Sequence, residues 1–92
     1  MMKELEARLK RWHDGHYKQM DIPRTYSKLL EETGEIGEAI MHGDTDHIIE
    51  EIGDATANLI HLARHFGPEY SFEDIIQMMV CKMEERERTG KK

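Results

Sequence analysis

Glu31-Glu32-Thr33-Gly34-Glu35 recurs as Glu50-Glu51-Ile52-Gly53-Asp54, each time inside a run whose apolar residues fall at helical spacing. Residues three apart share a helix face, so Glu32 with Glu35, and Glu51 with Asp54, form two carboxylate pairs on consecutive helices. At about 100° per residue the first apolar stripe runs through Tyr26, Leu29, Thr33, Ile36 and Ile40. The second runs through Ile48, Ile52, Ala55, Leu59, Leu62 and Phe66. Glu32 and Glu51 are thereby predicted at the edges of these stripes, beside the seam between the helices. Burying the edge of a carboxylate is costly without a compensating charge, and no Lys or Arg shares that edge within a turn of Glu51 and Asp54. A bound cation is the expected partner. Gly34 and Gly53 sit at equivalent helix-interior positions, each at a cost of about 1 kcal/mol relative to Ala, and are read as points where two backbones approach closely.

The rest of the chain predicts four helices. The first spans about Met2 to Gln19, with Leu5, Leu9, Trp12 and His16 along one side, and Asp21-Ile22-Pro23 breaks it. Pro23 suits the first turn of the second helix, which is expected to reach His42 and stop at Gly43. Asp44 or Thr45 caps the third, which ends at Gly67-Pro68. Ser71 and Asp74 resemble a capping box opening a fourth, whose apolar side is Phe72, Ile75, Ile76, Met79, Val80 and Met83. Cys81 is expected to face the core beside Val80 and Met83, and the tail from about residue 88 to fray. No β-branched alternating run is present, so the expected fold is all-α, with the second and third helices forming an antiparallel hairpin that turns the carboxylate pairs toward each other.

Ninety-two residues without a linker predict one domain, 1–92, with a thin core, since a chain this size buries little more than ~60% of its unfolded surface. Self-association is the expected remedy. Thirteen basic against 19 acidic residues set the net charge at −6, which disfavours nonspecific nucleic-acid binding but leaves a polyphosphate reachable through metal ions. A charged N-terminal stretch, a single cysteine and the lack of a long apolar run predict a soluble, cytoplasmic protein with no membrane partner.

An all-oxygen set of Glu and Asp favours hard cations such as Mg²⁺, which leave coordination positions for water and phosphates. A di-iron site would need Glu-x-x-His on the helices, and neither acidic pair carries one. The histidines lack zinc-site spacing with the cysteine, and EF-hand and phosphate-loop patterns are absent. Trp12 with His13 and His16 forms the one aromatic-rich polar cluster, either a platform for stacking a base or, for Trp12, core with Leu5 and Leu9, the histidines then lying at the surface.

Glu32-x-x-Glu35 followed by Glu51-x-x-Asp54, from roughly Trp12 to Arg86, resembles the MazG-like all-α nucleoside triphosphate pyrophosphohydrolases, whose relatives include dimeric dUTPases and phosphoribosyl-ATP pyrophosphohydrolases. The resemblance implies hydrolysis between the α and β phosphates to a nucleoside monophosphate and pyrophosphate. It implies Mg²⁺, with Mn²⁺ able to substitute, held by Glu32, Glu35, Glu51 and Asp54. Glu35 is assigned a further role in taking the water's proton, with Glu38 as the second catalytic candidate and Glu31 on the same helix. Lys82 and Arg86 resemble a Lys-x-x-x-Arg that contacts phosphates; where the family often has an Asn shortly before that Lys, this chain reads Met79-Val80-Cys81. Lys28 is expected to pair with Glu32 or reach a phosphate, and Asn58 to orient a ligand or touch the nucleotide. A homodimer or homotetramer is expected. The other readings are a phosphoribosyl-ATP pyrophosphohydrolase, a metal–nucleotide binding module without turnover, and an acidic helical module that docks a basic partner.

Overall fold

The computed structural model describes residues 2–16 and 22–90. All secondary structure among them is helical: α1 is Met2–His16, α2 Ile22–His42, α3 Thr45–Phe66 and α4 Phe72–Thr89. The expected stretch of α1 to Gln19, and the break at Asp21, lie outside the described residues.

The helix ends follow the local chemistry. Pro23 stands in the first turn of α2, where its missing N–H costs nothing. Gly43 ends that helix in the left-handed region, at φ 71°, and its N–H donates to the Ala39 and Ile40 carbonyls. Asp44 is the N-cap of α3, its side chain accepting from the His47 N–H. Ser71 and Asp74 form a complete capping box at α4, and the Ser71 N–H, then its hydroxyl, hold the Asp74 carboxyl below its usual pKa. The tail is more ordered than expected: α4 runs through Thr89 and closes on a left-handed Gly90 that donates to the Arg86 and Glu87 carbonyls.

Packing departs from the expected stripes in a consistent way. The buried positions of α2 are Thr25, Glu32 and Ala39, and those of α3 are Glu51, Ala55, Asn58 and Ile60. Tyr26, Thr33 and Ile40, one residue further on in α2, are exposed, and so are Ile52, Leu59 and Phe66 of α3. The rest of the expected stripes stays inward, with Ala55 buried and Leu29, Ile36, Ile48 and Leu62 half-buried, so the seam is shifted toward Glu32 and Glu51 and keeps part of each stripe. Glu32 and Glu51 lie in the seam, not beside it. Small side chains at Thr25, Ala39 and Ala55 let the helices approach, and the larger apolar groups are left facing outward. Gly34 and Gly53 belong to that outward side: a Cβ at either would meet nothing within 4 Å among the described residues, so the expected close backbone approach is not made there.

Helix α1 bridges the remaining elements. The Glu6 carboxylate accepts from the Phe72 N–H at the start of α4, where the helix dipole favours a negative charge. Asp14 accepts from Arg64 of α3 at 3.4 Å. His13 is 2% exposed and its ring lies 4.8 Å from that of His61, so it is a packing residue and not the surface group expected. α4 has no buried residue; it meets α1 at its start, where Phe72 and Ile75 are half-buried, and further along Val80, Cys81 and Met83 are exposed.

The His13–His61 contact gives the fold an acid limit. Burial, then the His61 and Arg64 charges, lower the His13 pKa below 6.5 against the pull of Asp14. Burial and Arg64 lower that of His61, again against Asp14. The unfolded chain then takes up protons first as pH falls below the usual histidine value, so stability is full above that range and declines below it. The melting temperature is expected to fall by several degrees between about pH 7.5 and about pH 5.5, and His61→Gln to flatten the decline, as read by thermal circular dichroism.

Candidate active site

The seam between α2 and α3 collects the two acidic motifs and separates their members by environment. Glu32, 5% exposed, accepts a hydrogen bond from Asn58 Nδ2 to its Oε2 at 2.8 Å. The Asn58 amide also donates to the Asp54 carbonyl at 3.3 Å, which fixes its orientation. Asn58 thus holds a carboxylate of the other helix, one turn after Asp54 as its spacing indicated.

Glu51, 8% exposed, accepts from His47 Nε2 to its Oε1 at 3.1 Å. Its Oε2 is buried and receives no donor among the described residues. The Glu35 carboxyl lies against Glu51. Hydrogen bonding between these two groups raises the Glu35 pKa; desolvation and the Glu51 charge add to this, while Lys28 and His47 oppose it. Two carboxyls this close oppose each other's ionisation.

Glu35, Glu38, His42, His47 and Glu51 line one cleft of about 490 Å³. Glu38 is exposed, its carbonyl accepting from His42 Nδ1 at 2.8 Å. Asp54 is exposed. Among the described residues no three of His, Cys, Asp or Glu are gathered closely enough to hold a metal ion. The pairing that exists is Glu35 with Glu51; Glu32 is turned to Asn58. Lys28 pairs with Glu31 at 3.9 Å, not with Glu32, and both side chains are well exposed.

Three further candidates lie apart from this cleft. Trp12 of α1 is 47% exposed and stands edge-on to His13, so it is neither core nor among the described residues lining the cleft. Lys82 and Arg86 lie exposed on α4, which rests on α1. His47 is the residue that sequence reasoning missed. A His four before Glu51 on one helix is the available signal, overlooked when only Lys and Arg are considered as partners.

Four helices among the described residues, with Glu35 of one acidic motif and Glu51 of the other lining one cleft between them, define the class as all-α. The chain belongs to the MazG nucleotide pyrophosphohydrolase domain family, whose model matches residues 22–90, from the first residue of α2 to the cap of α4. That is a family of hydrolases acting on nucleotides. No curated protein and no solved structure matches the chain.

Two substitutions test this geometry. Asn58→Leu leaves the buried Glu32 carboxylate without its donor and is expected to cost about 1–3 kcal/mol in chemical denaturation. Glu35→Gln removes one of two competing carboxylates and is expected to raise the melting temperature in EDTA, most clearly above the raised Glu35 pKa, where the parent pair must ionise.

Proposed function

We propose that this chain is a Mg²⁺-dependent nucleoside triphosphate pyrophosphohydrolase that cleaves between the α and β phosphates, releasing nucleoside monophosphate and pyrophosphate. The observation carrying the reading is the convergence of Glu35 and Glu51, one from each acidic motif, on one cleft. The donor set fits a hard cation: carboxylate oxygens, one of them buried with no donor. Glu32, Glu35, Glu51 and Asp54 are the proposed ligands. Mn²⁺ suits the same oxygens.

A bound dication supplies charge neutralisation on the triphosphate and acidifies the attacking water. The protein's own groups supply orientation and proton transfer. Glu35, whose pKa is raised toward the working range of a general base, accepts the proton as water attacks the α-phosphorus and the bond to the bridging oxygen breaks. Glu38 lines the same cleft and is the second candidate for that role. Asn58 and His47 keep Glu32 and Glu51 in place.

The register of contacts supports an antiparallel α2–α3 hairpin, since Glu32 meets Asn58 and Glu35, further along α2, meets Glu51, further back along α3. The exposed apolar stripes through Tyr26 and Ile40, and through Ile52, Leu59 and Phe66, support a homodimer or homotetramer. Within such an assembly Lys82 and Arg86 of a second copy are proposed to reach the substrate phosphates, Lys28 to approach them from the rim, and Trp12 to offer a face to the base.

Pyrophosphate release from a panel of ribo- and deoxynucleoside triphosphates is expected with Mg²⁺ or Mn²⁺ and not with EDTA, with the monophosphate as co-product. Glu35→Gln is expected to lower turnover about a hundredfold or more with its helical content intact; turnover equal to the parent's would remove Glu35 from the general-base role. A panel without turnover would direct the assay to phosphoribosyl-ATP. Sedimentation at micromolar concentration is expected to give a dimer or tetramer, and a monomer would contradict the proposed use of the outward stripes.

A further inference from the structure

The two oxygens of Glu51 have unlike surroundings: Oε1 accepts from His47 Nε2 at 3.1 Å, whereas Oε2 is buried without a donor. His47 stands one turn before Glu51 on α3, so the two side chains share a face. Its backbone N–H donates to the Asp44 cap at 3.2 Å, which places the residue in a firmly closed first turn. The imidazole is half exposed and lines the cleft together with Glu35, Glu38 and His42 of α2 and Asp44 of the connecting loop.

The terminal torsion of a glutamate is broad and roughly two-fold, so an unrestrained carboxylate presents either oxygen in any of several directions. A donor on one oxygen removes that freedom and commits the other. We infer that His47 is a positioning residue for the cation site: it clamps Glu51 Oε1 so that Oε2 is presented toward Glu35, where the dication is bound. Carboxylate ligands are commonly held by such an outer hydrogen bond, whose loss weakens metal affinity by about 10–100-fold. The role of His47 rests on the proposed cation site, and it concerns the donor hydrogen bond alone.

The test is calorimetric titration of Mg²⁺ and of Mn²⁺ into the parent, His47→Leu and His47→Gln, with helical content followed by circular dichroism. His47→Leu is expected to weaken binding by about 10–100-fold with helical content unchanged. His47→Gln, whose amide donates from a similar reach, is expected to recover most of the affinity. Equal affinity in parent and His47→Leu overturns the positioning role while leaving the metal site standing, and His47→Gln as weak as His47→Leu overturns the donor role. A parent that binds neither ion overturns the metal site and the positioning role together.

Discussion

A carboxylate set between two packed helices must find a donor, a proton or a cation, and that requirement organises the seam on which the rest of the structure depends. Glu32 finds a donor in Asn58, Glu51 finds one in His47, and Glu35, set against Glu51, has its pKa raised. Each solution ties α2 to α3 or stiffens one of them. The arrangement is poorer for stability than an apolar seam, because one Glu51 oxygen stays unsatisfied and two acidic groups compete for the same space.

The same requirement accounts for the outward apolar surface. With positions 25, 32 and 39 of α2 turned inward, positions 26, 33 and 40 are carried outward, and α3 repeats the pattern at 51 and 58 against 52 and 59. Each helix thus buries small and polar side chains beside part of its apolar stripe and leaves several of its larger apolar groups outside. Few apolar residues are fully buried among those described, namely Ala39, Ala55 and Ile60, so the chain has a thin core of its own. Helix α1 partly makes up for this by reaching α4 through Glu6 and α3 through His13 and Asp14.

The elements themselves were legible in the residue order. Helix boundaries are local, set by Gly43, the Asp44 cap, the Ser71–Asp74 box and the apolar spacing, and the structure has them where that chemistry indicates. The paired acidic motifs were equally plain, and residues 22–90 carry the family match. The thinness of the core also followed from length, because a short chain has too little interior to bury its apolar groups.

Which stripe of α2 and α3 turned inward was decided only by the tertiary structure. Periodicity measures angles around one helix and says nothing of what stands opposite, so Glu32, Glu51 and Asn58 took buried places in the seam while Tyr26, Ile40, Ile52, Leu59 and Phe66 of the expected stripes stayed exposed. Asn58 and Glu32 are far apart in the chain, and their hydrogen bond exists only once both helices are in place. Likewise His13 became a buried neighbour of His61, and Cys81 stayed exposed, because α1 has a helix packed against it and α4 has little. Local chemistry determined where each helix starts and ends and which acids share a turn; packing decided which of those acids are buried, since burial depends on the neighbouring surface.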